Sequence, residues 1–315
     1  MSTISVHIVT YNSAAYITDC LDAILKQSHP IQSIIVIDNN SSDKTKQLLQ
    51  PYLDRIIFIG NTNNVGFAAG HNQAIRLSDA EYVLVLNPDV TMNPDYIHFL
   101  IQQMQLDPSI GSATGKLLFK QSPDIIDSTG LVITKSRRGF DRGAGEGSEA
   151  WKESNDVFGV CGAAALYSRQ MVEDISIGGC FFDEDFFAYK EDVDVAWRSR
   201  IQGWRALYSA DAIAYHDRGW KKGARSQTSL FVRRLSYINR YKMIIKNDSI
   251  PHMLLHCIPL LVYEVMSLGY FIVKEPKVLG AWVDLFKKIP TLMAKRKSIQ
   301  DARTVNFTKL YNYFK

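Results

Sequence analysis

The residues of this chain whose types suit chemistry fall in two acidic clusters. The first is Asn87-Pro88-Asp89, the polar tip of the apolar run Tyr82-Val83-Leu84-Val85-Leu86. A divalent cation bridging two phosphates takes one or two carboxylates plus phosphate oxygens. Asp89 suits that role, and Asn87 is a weaker companion that could reach a ribose instead. A plain Asn-Pro-Asp turn without metal is the alternative. The second cluster places Asp183, Glu184, Asp185, Glu191, Asp192 and Asp194 among phenylalanines and a tyrosine, ahead of a helical pattern with Val195 and Ile201 inward. A carboxylate against aromatic walls can take a proton from a hydroxyl. Acids that merely complement a helix dipole are the competing reading. His216, at the end of a strand pattern, is a metal ligand or a structural histidine.

Smaller signals precede these clusters. Tyr11 could stack on a base, and the Asp38 carboxylate could accept the N3–H of uracil or thymine. The run Asp38-Asn39-Asn40-Ser41-Ser42-Asp43 reads equally as a strand-to-helix turn. Small residues across Asn64-Val65-Gly66-Phe67-Ala68-Ala69-Gly70-His71-Asn72 would let backbone N–H groups approach a diphosphate, or let a helix pack closely. Residues 134–151 combine Arg137, Arg138 and Arg142 with glycines, which predicts either a mobile loop near anions or a solvated one. Small residues within 157–167 leave room for a sugar ring or pack against a helix.

These residues must be positioned by an alternating framework. Strands are expected over residues 4–10, 33–37, 55–59 and 82–86, with helices over 13–27 (capped by Ser13), 44–53 and 67–77 between them. That rhythm predicts a mostly parallel sheet with helices on both faces. Ligands in such sheets collect beyond the carboxyl ends of the strands, where Asp38 and Asp89 fall. A helix entered at Pro94 (93–106), a strand over 110–119 and strands over 204–208 and 212–215 follow. Neither GxGxxG nor GxxxxGK[ST] is present, which argues against a dehydrogenase and a P-loop enzyme.

With 315 residues, 46% apolar and 22% charged, the chain has ample core for one large or two small domains. Cys20, Cys161, Cys180 and Cys257 are scattered, which argues against a zinc site or a disulfide framework. The opening residues lack a leader pattern, so a cytoplasmic setting is expected. Residues 1–217 carry 17 Lys+Arg against 27 Asp+Glu, whereas residues 218–315 carry 19 against 5. A basic tail points to a polyanionic partner. Its apolar stretch 250–273, interrupted by His252, His256 and Glu264, favours an anionic membrane surface over nucleic acid. A basic helix over 227–246 precedes that stretch, and a helical dimer interface is the alternative.

Taken together, the ordered motifs resemble the family 2 glycosyltransferases with a GT-A fold, over residues 6–216 and beyond. Val9-Thr10-Tyr11-Asn12 and Val36-Ile37-Asp38-Asn39-Asn40-Ser41-Ser42-Asp43 look like the base-binding region. Asn87-Pro88-Asp89 occupies the place of the DxD metal motif, with Asn87 replacing the first Asp. Lys190-Glu191-Asp192-Val193-Asp194 resembles the ED motif, which implies Asp192 as catalytic base with Glu191 and Asp194 as alternates. His216 matches a downstream histidine that completes the metal site in some members. Asn64-Val65-Gly66-Phe67 and Phe182-Asp183-Glu184-Asp185-Phe186-Phe187 look most like the rhamnosyltransferase-like branch.

The resemblance implies a GT-A domain over 1–217, with a donor half (1–119) and an acceptor half (120–217), then a helical, membrane-associating extension over 218–315. It implies inverting transfer of a sugar, L-rhamnose from dTDP-rhamnose as the first choice, to a glycan or lipid-linked acceptor in cell-surface polysaccharide synthesis at the inner face of the membrane. Thr10, Tyr11, Asn12, Asp38, Asn64, Gly66, Phe67, Asn72 and Asn87 would line the donor, and Asp89 and His216 would hold Mg²⁺ or Mn²⁺. A hexosyl- or galactofuranosyl-transferase is the nearest alternative. A nucleotidyltransferase or a non-catalytic nucleotide-sugar binder lies outside the class.

Overall fold

The computed structural model describes residues 2–218 and 228–315. In chain order the first half comprises β1 (Ile4–Thr10), α1 (Ile17–Leu25), β2 (Ser33–Asp38), α2 (Thr45–Leu49), β3 (Ile57–Gly60), α3 (Gly66–Arg76), β4 (Tyr82–Leu86), β5 (Val90–Met92) and α4 (Tyr96–Leu106). The strands β3, β2, β1 and β4 lie side by side and run parallel. Leu84 and Leu86 of β4 face one apolar cluster, with Ile17, Leu21, Ile97 and Leu100 of α1 and α4. Val83 and Val85 face the other, with Ala68 and Ile75 of α3. This two-sided burial explains the uninterrupted apolar run.

The second half is mixed. It contains β6 (Ile110–Phe119), β7 (Ser122–Ser128), β8 (Leu131–Ile133), β9 (Gly139–Asp141), β10 (Asn155–Val157), β11 (Ala164–Ser168), α5 (Arg169–Ile175), α6 (Glu191–Ile201) and β12 (Arg205–His216). β11 runs antiparallel between β4 and β6, and β12 lies parallel to β6. β8 and β9 form a separate hairpin. The helical remainder is α7 (Leu230–Asn247), α8 (Ile250–Leu255), α9 (Cys257–Lys274), α10 (Ala281–Asp301) and α11 (Phe307–Tyr311).

Several local expectations are corrected. Ser13 does not cap α1, which begins at Ile17 with no side-chain cap. The two strands expected over 204–215 are one, β12, with an irregularity between Tyr208 and Ile213 in its pairing with β6. The apolar stretch 250–273 is two helices, because the chain turns at His256. Gln227, the expected start of the basic helix, lies outside the described residues. Residues 134–151 are not a mobile arginine loop. They carry β9, and Arg137 is fully buried, its Nε 2.8 Å from Asp248. Arg142 stacks on Trp151 and Tyr208 instead of facing an anion.

Candidate active site

The β4 tip and the end of β12 are brought together by β5. That short strand pairs antiparallel with β12, placing Val90 opposite His216, and the Asp217 N–H donates to the Asp89 carbonyl at 2.8 Å. His216 Nε2 therefore lies 3.3 Å from Asp89 Oδ1. On its other side, His216 Nδ1 is 2.7 Å from Asp127 Oδ2 at the end of β7. Burial pulls the imidazole toward neutrality, but the two carboxylates outweigh it and raise its pKa to about 9.

Asp89 Oδ1 is buried and, its 3.3 Å approach to His216 Nε2 aside, has no hydrogen-bond partner. Asp127 orients the imidazole as outer-shell carboxylates orient metal-bound histidines. With the His216 proton displaced on binding, Asp89 and His216 would suit a divalent cation together with phosphate oxygens. No group of three or more His, Cys, Asp or Glu among the described residues makes a complete metal site by itself.

Charge continues from this pair toward the second cluster. Arg218 Nε is 3.0 Å from Asp127 Oδ1, and its Nη2 is 2.9 Å from Asp141 Oδ2 on β9. Asp141 in turn acts electrostatically on Asp192. Ion pairs therefore link Asp89, His216, Asp127, Arg218 and Asp141 in a line, and the Asp141 charge raises the pKa of Asp192 beyond it. Asp127 and Asp141 were missed in the sequence because β7 and β9 are weakly patterned, and Arg218 because it lies beyond the end of β12. The one available signal was an Asp or Arg beside a strand end.

Asp192 sits in the first turn of α6, partly open to solvent. Its Oδ1 accepts from the Val193 N–H at 2.7 Å and its Oδ2 from the Gly162 N–H at 3.3 Å. Burial and Asp141 raise its pKa, while Lys190 and the two N–H groups oppose them. Glu191 is more deeply buried, and burial together with Asp192 pushes its pKa to about 8. Asp194 is fully buried, held by Arg198 and Lys246 at 2.9 Å and by Asn247 at 2.8 Å. An acid so enclosed is an anchor, not a base that can reach a hydroxyl.

The segment entering α6 is conformationally costly. Phe187, Tyr189 and Lys190 all have positive φ, at 62°, 71° and 72°. Asn239 of α7 holds it, its amide donating to the carbonyls of Phe186 (2.9 Å), Ala188 (2.8 Å) and Tyr189 (2.8 Å). Gly66, at φ 87°, lies directly against this segment, where a Cβ would come within 2.6 Å of the Phe187 carbonyl oxygen.

The residues expected to line a donor divide into free and engaged. The Tyr11 ring is 54% exposed and open for stacking. Asn12 accepts from the Ser42 N–H at 2.9 Å and clamps the β1 and β2 loops together. Asp38 is fully buried, bonded to Thr10 Oγ1 and the Ser41 N–H at 3.0 Å each, so its carboxylate ties two strand tips. Asn64 closes on the Gly66 N–H at 2.8 Å. Asn72 is buried and exchanges both amide bonds with Phe182, bridging α3 to the acidic segment. Phe67 packs on His71 and Phe182, close to Gly162. Asn87 donates its N–H to the Ala163 carbonyl at 2.8 Å, at the mouth of the crevice.

A parallel nucleotide-type half, an antiparallel strand inserted beside β4, and acids at the β4 tip and the α6 start define the GT-A glycosyltransferase fold. Residues 5–176 match the model of glycosyl transferase family 2, and the chain belongs to that family. Poly-beta-1,6-N-acetyl-D-glucosamine synthase of Staphylococcus aureus (strain COL) is 25% identical over 211 residues, covering 65% of this chain and 47% of that protein. Its counterpart in Staphylococcus epidermidis is 22% identical, covering 67% and 49%. The chain thus spans about half the length of the curated relatives it matches. Among solved structures, residues 1–349 of S. aureus TarS in complex with UDP-GlcNAc superpose with a TM-score of 0.58 at 18% identity, covering 99% of this chain and 89% of that one. The mannosyltransferase PcManGT of Pyrobaculum calidifontis, in complex with GDP-Man and Mn²⁺, gives 0.51 at 18% identity, covering 95% and 85%.

Proposed function

We propose that this chain is an inverting glycosyltransferase that moves a sugar from a nucleotide donor to a hydroxyl of a glycan or lipid-linked acceptor in cell-surface polysaccharide synthesis. The observation that carries the reading is the line of charge from Asp89 to Asp192, which joins a diphosphate-type end to a proton-accepting end. Asp192 removes the acceptor proton as the oxygen attacks the anomeric carbon, opposite the departing nucleoside diphosphate. Positive charge then grows on the sugar ring and negative charge on the leaving group. Asp89 and His216 are the residues that would hold Mg²⁺ or Mn²⁺, which supplies Lewis-acid neutralisation of the diphosphate when bound. Tyr11 stacks on the base, and Phe67 with Gly162 walls the sugar.

For the donor, the motif resemblance favours dTDP-rhamnose, whereas the curated relatives are named for an N-acetylglucosamine polymer. A hexosyl- or galactofuranosyl-transferase would use the same machinery. The proposed setting is the cytoplasmic face of the cell membrane, with residues 218–315 as the attachment. The test is nucleoside diphosphate release from a panel of UDP-, GDP- and dTDP-sugars with Mn²⁺ or Mg²⁺. Release from dTDP-rhamnose alone is the expected result. Release from UDP-GlcNAc alone would move the assignment to a hexosaminyl donor, and silence with every donor and lipid acceptor would overturn the reading.

A further inference from the structure

A cavity of about 420 Å³ lies between α7, α9, the Arg137–Phe140 turn and Lys190. Its walls include Arg138, Phe140, Lys190, Arg240, Tyr263 and Ser267. Two of its cations form no ion pair with a carboxylate among the described residues, although the Lys190 charge also acts on Asp192. The Arg138 guanidinium stacks over Phe140 at 4.4 Å and over Tyr263 at 5.0 Å. Lys190 Nζ donates only to the Gly139 carbonyl, at 2.9 Å, which leaves further N–H donors free. Arg240, by contrast, is taken up by Glu264 at 2.6 Å and closes the floor.

This cavity faces two ways. Lys190 immediately precedes Glu191 and Asp192, so one wall belongs to the start of the catalytic helix. Tyr263 and Ser267 belong to α9, whose outer surface is apolar. Ile258, Val262, Val265, Met266 and Val273 are each more than half exposed there. Arg138 and Lys190 suit a ligand with concentrated negative charge, set between the apolar face of α9 and the residue that opens α6.

We infer that this cavity receives the diphosphate of a lipid-linked saccharide acceptor. The two phosphates meet Arg138 and Lys190, the hydrocarbon chain lies along α9, and the sugar hydroxyl is delivered to Asp192. Charge-assisted bonds from Arg and Lys to phosphate are among the strongest a surface site can make. The inference rests on the glycosyl-transfer reading for what the acceptor does, but not for whether the lipid diphosphate binds.

The test is co-sedimentation of the full chain with phosphatidylcholine vesicles that carry a long-chain polyprenyl diphosphate. The comparison vesicles carry phosphatidylglycerol at equal surface charge. The expected result is binding about tenfold tighter to the diphosphate vesicles, the scale of one or two charge-assisted contacts. Arg138→Ala, at an exposed position, and Ser267→Trp, which fills the cavity, should each collapse that ratio toward one. Equal binding of the wild-type chain to both vesicle types would overturn the assignment, as would a ratio untouched by both variants. Nucleoside diphosphate release is scored separately on the wild-type chain. A chain that prefers the diphosphate vesicles yet is silent with every donor keeps the cavity and loses the transferase reading. A chain that releases nucleoside diphosphate without that preference loses only the cavity.

Discussion

At the scale of single residues, the two carboxylates opening α6 divide the work by burial. Asp192 keeps a face toward the cleft, while Glu191 is 7% exposed with one oxygen unpartnered. With Asp192 ionised, its neighbour holds a proton. Asp192→Asn should lower turnover by about 10²–10⁴-fold, the usual span of general-base catalysis, while donor binding persists. Turnover near wild type would remove Asp192 from the mechanism. Since burial and Asp141 raise the Asp192 pKa, and the base works deprotonated, kcat/KM should rise with pH through a limb above the ordinary carboxylate range. Asp141→Asn removes one raising charge and should move that limb to lower pH. A limb that stays put or moves upward would contradict this.

Glu191 gives a stability prediction of defined sign. Its folded pKa, about 8, lies above an unfolded value near ~4.3. The folded state binds the proton more tightly, so this contribution is complete below the unfolded pKa and is lost as pH climbs toward 8. Glu191→Gln cannot ionise, so its Tm relative to wild type should climb between pH 5 and 8. A pH-independent difference would show that Glu191 is already charged at neutrality. The places of Asp89 and His216 beyond or at strand ends, and of Asp192 at a helix start, were legible in the sequence from the elements they border. Asp38, Asn64 and Asn72 were legible as polar tips, but sequence alone could not reveal that their hydrogen bonds are spent within the protein. That depends on loops meeting in space.

At the scale of elements, α7 does for the site what the sheet alone does not. Phe187, Tyr189 and Lys190 hold positive φ, each costing on the order of 1–3 kcal/mol and persisting only where the surroundings enforce it. Asn239 enforces it through three carbonyls, and Lys242 donates to the Asp185 carbonyl beside them. Asn239→Ala should therefore reduce kcat by about tenfold or more with the donor KM little changed, because α6 loses its fixed start. A proportional loss of folded protein with normal kcat per folded molecule would make Asn239 a stability residue only. Lys246 is fully buried between Asp183 (2.5 Å) and Asp194 (2.9 Å). Lys246→Ala removes the cation shared by two buried carboxylates, leaving Asp183 to Lys295 and Asp194 to Arg198, and should cost up to about 3–5 kcal/mol in chemical denaturation. A loss under 1 kcal/mol would mean that water or Lys295 takes its place. The α/β alternation of the first half was readable because its periods are long and clean. β8 to β10 were not, since strands of three residues carry too little pattern to read.

At the scale of the whole molecule, charge and apolar surface are segregated. The Lys+Arg excess of residues 218–315 sits on the same part of the chain as α9. Among the described residues α9 is the one helix long and apolar enough to cross a membrane by length and composition, and 6% of its 18-residue span is buried. Leu261, Val265 and Met266 are 62%, 71% and 70% exposed. Soluble monomers rarely leave so continuous an apolar face uncovered. Fully burying an aliphatic side chain is worth about 1.5–3 kcal/mol, and each Lys or Arg near an anionic surface adds about 1 kcal/mol. A few of each hold a peripheral protein on a bilayer. The full chain should therefore float with anionic liposomes, and the double change Leu261→Glu, Val265→Glu should leave it at the bottom of the gradient with its thermal unfolding unaltered. The competing occupant is a second copy of α9. If the wild-type chain stays at the bottom and sediments as a dimer that the same double change dissociates, the face is a subunit interface and the membrane assignment falls.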